Sequence, residues 1–509
     1  MKKIFVTGLA LLGIMATSCD DYLDINQDPN SPTEGNMTAS MVLPTAEMNI
    51  AASYGDFLRN VGGYYVQHYS QYFGTSNYLD YSQFKMSATR SSGNYVQLTS
   101  RALNNLKIVR SLAAAEGDWG TYLAATTLRA FTYQVLVDCY GEVPYSQALN
   151  LDYISPKFDD GQDIYDGIIA ELDDALGKVN EGSQVATNFL YAGKSAEAWI
   201  KFANALKLRI YTRESGVKNV DAELGKLIDA DNFPAADVAF AGIWSDALGK
   251  ANPFYQEDAF TSYGGPQQNI VLNLALYQAM SAYDDSRLEA FFNPNASGAY
   301  AGAVSGTNFS TSQSYKANYW CRPNAHYDDP VDLISVAEVY FMKAEYYARV
   351  KKDLGKAQDN YEKAVKASCI QAFTILARMD AASAAAKADE VTAKAMKAYP
   401  LTLDNYKQAI GVQKWIALAG SNNFESWCEV RRLGYPQVGA VTGDQIYAQA
   451  SDTYKPELLK AGELYTPIDC NTSVTGKVLQ RWPYAEASAN RNSNAPKYPG
   501  DATPVFWAK

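Results

Sequence analysis

Two histidines, His68 and His326, and six cysteines are the whole supply of imidazole and thiol in 509 residues, so the commonest catalytic machinery has little to draw on. No HExxH, paired CxxC, GxSxG, phosphate-binding P-loop or GxGxxG spacing occurs, which removes the motif-based routes to zinc hydrolysis, serine hydrolysis and nucleotide chemistry. A glycosidase needs less: two carboxylates about 5 to 9 Å apart in space. Asp284-Asp285 and Asp328-Asp329 are the loop pairs available to a surface glycosidase or lyase, although adjacent acids in loops read first as solvated turns or helix caps.

One thiol has a chemistry of its own. Lys2 and Lys3 precede an apolar run from Ile4 to Met15, then the small residues Ala16, Thr17 and Ser18, then Cys19. That order is a lipoprotein signal, in which the thiol of the first mature residue receives a diacylglycerol. Residues 1–18 are therefore expected to be a removed signal peptide, 19–37 an extended lipid tether containing Pro29 and Pro32, and 38–509 a single body. The apolar run falls short of the roughly 20 residues that cross a bilayer, and no later stretch approaches that length. No cofactor is expected beyond the lipid on Cys19. The other five cysteines, Cys139, Cys321, Cys369, Cys428 and Cys470, cannot all pair, and their wide spacing reads as buried thiols with room for one disulfide. A formal charge of −11 repels nucleic acid.

Binding chemistry is better supplied. The chain has 37 tyrosines against 19 phenylalanines, a surplus of the aromatic that offers a ring face and a hydroxyl together. Sugars need that combination, their C–H faces stacking on rings while polar side chains take the hydroxyls. The densest cluster is Tyr64-Tyr65, Tyr69, Tyr72-Phe73, Tyr78 and Tyr81, interleaved with Gln67, Gln71, Asn77 and Gln83. Tyr65, Tyr69 and Tyr72 follow helical spacing and point to a core face, whereas Tyr78 and Tyr81, beyond Gly74-Thr75-Ser76, are expected on an exposed loop. A second cluster, Tyr315, Tyr319, Trp320 and Arg322, precedes His326 and Pro330. The ligand-binding candidates are thus Tyr72, Tyr78, Tyr81, Tyr315, Tyr319, Trp320 and Arg322.

These side chains must be held by helices. Leu128, Phe131, Val135 and Cys139 recur at spacings of three and four, as do Trp199, Phe202, Leu206 and Ile210. Ala357, Tyr361 and Ala364 give the small, large, small pattern by which tetratricopeptide helices nest, best in the helix pair from Val336 to Ser368; the triplets Ala102, Leu106, Val109 and Ile168, Leu172, Ala175 are similar, at irregular intervals. Between about 215 and 330 the rhythm weakens and turn residues accumulate, which predicts a long loop insertion. Short alternating runs at Asp237 to Ile243 and Val474 to Trp482 predict hairpins. Ala377 to Ala398 reads as a solvated or half-buried helix, and Val505-Phe506-Trp507 as a pin for the C-terminal segment. The expected fold class is mainly α: a tetratricopeptide-like helical scaffold with long irregular loop insertions and a few short β-hairpins.

Several stretches taken in order resemble one family. Asp21-Tyr22-Leu23-Asp24-Ile25-Asn26 with Asp28-Pro29-Asn30, Leu128-Arg129-Ala130-Phe131 through Tyr140-Gly141-Glu142-Val143-Pro144, Trp199 to Arg209, Asp285-Ser286-Arg287-Leu288, Ala337 to Glu345, and Arg481-Trp482-Pro483-Tyr484 are similar to the SusD/RagB nutrient-binding outer-membrane lipoproteins of Bacteroidetes. Glu142 stands where that family usually has Asp. Each marker also has a plain physical job: Gly141 and Pro144 stop a helix, Glu338 and Glu345 pair with basic residues or cap neighbours, and Arg287 anchors a loop through carbonyls. The resemblance implies a non-enzymatic, surface-exposed lipoprotein on the extracellular face of the outer membrane. It would capture an oligosaccharide, or in some members a peptide, and deliver it to a SusC-like TonB-dependent transporter. Asp20 and Asp21 beside Cys19 resemble that family's surface-export signal. A lid or adhesin without a ligand of its own is the remaining reading.

Overall fold

The computed structural model describes residues 37–72, 76–180, 182–191, 195–258, 269–307, 319 and 321–508. Cys19, the signal peptide and nearly all of the tether lie outside these residues. The scaffold is helical: α1 (Ala39–Ala52), α2 (Arg59–Tyr65), α3 (Asn104–Glu116), α4 (Trp119–Tyr140), α5 (Gly161–Lys178), α6 (Glu197–Glu214), α7 (Val336–Tyr346), α8 (Leu354–Gln371), α9 (Ala381–Ala398), α10 (Tyr406–Leu418) and α11 (Asn423–Leu433). Among the described residues no helix is long and apolar enough to cross a membrane.

Successive helices pack on one another, α3 on α4, α4 on α5, α7 on α8 and α8 on α9, which is the nesting expected of tetratricopeptide-like pairs. The small, large, small triplet Ala357, Tyr361 and Ala364 is buried at one of these joints, and the similarly spaced Ile168, Leu172 and Ala175 and Ala102, Leu106 and Val109 are buried at others. The turns are written locally. Gly117, at φ +69°, ends α3 in the left-handed conformation, and Asp118 accepts the Thr121 N–H at 3.1 Å to start α4. Asp353 starts α8 and Asp380 starts α9 in the same way. Helix α9 begins at Ala381, four residues later than the alanine-rich stretch, and buries only Ala384, Ala388, Val391, Thr392 and Ala395, so of the solvated and half-buried alternatives it is the half-buried helix.

Four two-stranded sheets complete the fold. β1 (Tyr69–Gln71) pairs antiparallel with β3 (Ile270–Leu272), and β2 (Val238–Phe240) pairs antiparallel with β4 (Val331–Ile334). β5 (Gln437–Thr442) pairs parallel with β8 (Glu463–Thr466), and β6 (Tyr447–Ala448) with β7 (Thr453–Tyr454) is a short hairpin. Alternation in 237–243 thus marked a strand but not its partner, since β2 pairs with distant β4. The run at 474–482 holds no strand; its hydrophobic residues Val474, Val478, Leu479 and Trp482 are all buried from one irregular segment. The stretch from 215 to 330 is less irregular than its turn residues imply, with helices at Asp221–Ala230, Leu274–Ser281 and Arg287–Phe291.

A buried charge network sits at the centre of the helices. Arg209 of α6 donates to both oxygens of Glu338, at 2.6 and 2.8 Å, and Arg213 one turn on pairs with Asp138 of α4 and Glu425 of α11. Arg432 bridges Glu345 and Glu429 at 2.6 and 2.7 Å, and Lys414 reaches Glu429 at 3.1 Å. Charges removed from water persist only when paired, and here each acid has a guanidinium or ammonium partner. Asp138 also accepts from Tyr165 at 2.6 Å and from the Trp507 indole at 2.8 Å, so the segment Val505-Phe506-Trp507 is pinned as its composition predicts.

Candidate functional site

Sheet β1–β3 decides which candidate residues meet. Its register sets Gln71 opposite Ile270, so the segments beginning at Tyr72 and ending at Asn269 leave the same edge, and the Tyr72 N–H donates to the Asn269 carbonyl at 2.7 Å. On the other side the Leu272 N–H donates to the Cys321 carbonyl at 2.8 Å, which draws in Tyr319 and Arg322. Three stretches remote in sequence therefore converge on one small sheet.

Within this corner the Tyr78 hydroxyl donates to Glu257 at 2.5 Å, and its ring stacks on Tyr81 with centroids 5.8 Å apart. Arg322 donates to the neighbouring acid, Asp258, at 3.1 Å. Glu257 and Asp258 end the short helix Pro253–Asp258, so one turn of helix fixes Tyr78 on one side and Arg322 on the other. Burial, then the charges of Asp56 and Glu257, push the Tyr78 hydroxyl well above its ordinary range and keep it a neutral donor. Burial likewise raises Asp258, against the pull of Arg322. Asp258 is buried with both oxygens taken, so what the arrangement offers is the half-buried Tyr78 ring and neutral hydroxyl, the exposed Glu257 carboxylate and the Arg322 guanidinium, a set that recognises polyhydroxylated ligands. Among the described residues no group of His, Cys, Asp or Glu could hold a metal ion.

The seven candidates fare differently. Tyr78 and Tyr72 are half-buried at the sheet edge. Tyr81, expected on an exposed loop, is instead 3% exposed in the short helix Leu79–Ser82, because it packs between Phe57 and Tyr78. The helical spacing of Tyr65, Tyr69 and Tyr72 is also corrected: α2 stops at Tyr65 and Tyr69 lies in β1, although Tyr65 and Tyr69 are buried as core residues. Tyr319 lies against the β6–β7 hairpin, its ring 4.7 Å from Tyr454, which faces Tyr447 at 6.4 Å. Arg322 turns the other way, toward Asp258. Tyr315 and Trp320 lie outside the described residues. Glu257, Asp258, Tyr447 and Tyr454 were not singled out by sequence reasoning; no spacing links them to the tyrosine clusters, and only the strand pairing brings them there.

Three of the four acids proposed for a glycosidase, Asp285, Asp328 and Asp329, are held in ion pairs. Asp285 is buried against Arg287 at 2.6 Å and accepts the Tyr283 hydroxyl at 2.6 Å. Asp328 and Asp329 share Arg378 at 2.5 and 2.8 Å. Arg287 does not bond backbone carbonyls as expected. It takes Asp285, Ser368 and Gln413 side chains, locking its loop to α8 and α10. The one-disulfide allowance fails too, since Cys139, Cys321, Cys369, Cys428 and Cys470 are all free thiols.

Comparison with known proteins agrees with this architecture. A sequence model of the SusD-like family, described as "Starch-binding associating with outer membrane", matches residues 29–457. No curated protein matches. Among solved structures, a SusD/RagB family protein from Bacteroides thetaiotaomicron is 23% identical with a TM-score of 0.69, covering 93% of this chain and 99% of that one. A SusD homolog from Bacteroides uniformis is 21% identical with a TM-score of 0.68, covering 92% and 97%. A structure described as a chitin-binding protein is 21% identical with a TM-score of 0.68, covering 93% and 100%. The helical scaffold, the paired family markers and the match over most of its length together place this chain in the SusD-like family of outer-membrane-associated binding proteins.

Proposed function

We propose that the protein is acylated at Cys19, stands on the extracellular face of the outer membrane, captures an oligosaccharide and delivers it to a SusC-like TonB-dependent transporter. The observation that carries the glycan reading is the convergence of Tyr78, Glu257, Asp258 and Arg322 on sheet β1–β3, with Tyr319 and Tyr454 beyond Cys321. Ring faces and hydrogen-bonding groups flank this sheet on both sides, which suits a ligand with alternating C–H and hydroxyl faces. The family description and the chitin-binding relative support a glycan over a peptide. Capture needs no bond chemistry, and the ion pairs that hold Asp285, Asp328 and Asp329 favour binding over hydrolysis.

The test is titration calorimetry of the mature protein with soluble malto-oligosaccharides and chito-oligosaccharides, followed by product analysis of the same mixtures. Saturable binding to one series with no new reducing ends is expected. New reducing ends would replace this reading with a surface hydrolase, and binding to peptides but to neither glycan series would replace the ligand class.

A further inference from the structure

The least explained part of the surface is the loop that follows α4. Leu151 and Ile154 are 98% and 94% exposed and Tyr153 is 45% exposed, a concentration of apolar surface unlike the rest of the described exterior. The loop is held out deliberately. Leu149 takes a φ of +57°, a conformation that L residues with a branched side chain seldom adopt, and Lys107 donates to its carbonyl at 2.5 Å. At the far end Asn494 donates to the Ser155 carbonyl at 2.6 Å and Asn492 to the Pro156 carbonyl at 2.7 Å. A segment pinned at both ends, with a strained entry, projects its aliphatic side chains instead of folding them away.

The loop stands between two clefts, and Leu149 lines both. One is edged by Lys107, Arg110, Arg129 and Tyr145, the other by Leu103, Tyr133 and Arg491. Glu171 pairs with Arg110 and Arg129, while among the described residues Lys107 and Arg491 have no carboxylate partner. On a chain of formal charge −11, Lys107, Arg491 and the two arginines that share Glu171 outweigh Asp152, the one exposed acid of the ridge itself, and leave its border net positive. A flat bilayer surface would cover the ridge and leave both clefts empty; a protein surface with its own projections fills them.

We propose that the ridge Leu149–Pro156 and its two flanking clefts form a docking surface for a partner protein that presents acidic side chains around an apolar recess. Naming that partner as the transporter barrel rests on the functional reading above. Charge complementarity sets orientation and encounter rate, and Leu151 and Ile154 supply the buried anchor.

A photoreactive amino acid placed at position 151 of the full chain, in its own cells, tests both statements. The expected result is one dominant protein adduct, identified by mass spectrometry as an outer-membrane barrel and reduced about tenfold by Arg491→Glu. An identified adduct with a different protein, equally sensitive to Arg491→Glu, keeps the docking surface and overturns the transporter as its occupant. Lipid adducts alone, or no adduct, overturn the docking surface. Leu151→Asp/Ile154→Asp, both at exposed positions, is expected to leave the melting temperature and glycan affinity unchanged while abolishing association with the adduct partner; unchanged association would overturn the anchor role.

Discussion

The Tyr484 hydroxyl donates to Glu142 at 2.6 Å, and through that contact the two most recognisable stretches of the chain hold each other. Arg481 reaches Glu142 at 3.3 Å, and the Trp482 N–H donates to the Cys139 carbonyl at 2.7 Å. Gly141 is part of the same joint: at φ +81° its missing side chain leaves room for the Arg481 guanidinium, which a β-carbon would meet at 1.9 Å.

Two substitutions separate these effects. Tyr484→Phe removes one hydrogen bond to a carboxylate that is partly solvated and is expected to cost about 1 kcal/mol. Gly141→Ala adds both the left-handed strain and the clash, and is expected to cost about 2 kcal/mol or more. Denaturant midpoints at constant m-value would measure both, and equal costs would contradict the account of Gly141.

Glu338→Ala leaves Arg209 buried with its principal partner gone. The expected loss is about 3 kcal/mol, the cost of an interior charge left with only the longer contact to Glu425 at 3.7 Å. Glu197→Ala, which removes the exposed and solvent-screened pair with Lys201, is expected to leave the denaturant midpoint unchanged in the same assay.

Asp332 gives a pH dependence of definite sign. Burial, then the charge of Asp237 across β2–β4, raises its carboxyl to about 8, with Arg59 of α2 opposing and Asp329 adding to the rise. The folded chain therefore holds a proton that the unfolded chain releases near the ordinary carboxyl range, so this group's contribution is full below about pH 4 and is lost as pH rises toward 8. Asp332→Asn keeps the shape without the titration. Its melting temperature relative to the parent is expected to climb between pH 5 and pH 8; a constant difference would show that Asp332 does not titrate there.

At the candidate site, Tyr78→Ala and Tyr319→Ala are each expected to weaken glycan binding about tenfold or more by calorimetry, whereas Tyr78→Phe isolates the hydroxyl donated to Glu257 and is expected to cost less. Unchanged affinity in both alanine variants would remove this corner as the binding site while leaving family membership intact.

The helices were legible because their signals are local: apolar residues at spacings of three and four, as in Leu128 to Cys139, and a stop such as Gly141 and Pro144. The partnership of Glu338 and Glu345 with basic residues was legible as well, since acids inside apolar helical faces must be neutralised. Strand pairing was not. Tyr69 reads as helical beside Tyr65 because period alone cannot distinguish a helix from a three-residue strand, and nothing near Tyr69 names Leu272 as its partner. The site inherits that blindness. Tyr78 was visible as one tyrosine among many, but Glu257 became relevant only when a non-local sheet placed it under the Tyr78 hydroxyl.

The indole of Trp507 bonds Asp138 across a sequence separation of 369 residues, and that distance orders events in time. Asp138 is made long before its partner, so α4 emerges from synthesis with a carboxylate whose ligands, Arg213, Tyr165 and Trp507, arrive in stages. Until Trp507 arrives the central charges are incompletely shielded and the helices lack their final clamp. The closure of the Asp138 cluster therefore comes late, because Tyr165 and Arg213 can bind the carboxylate as their helices form whereas the indole waits for position 507.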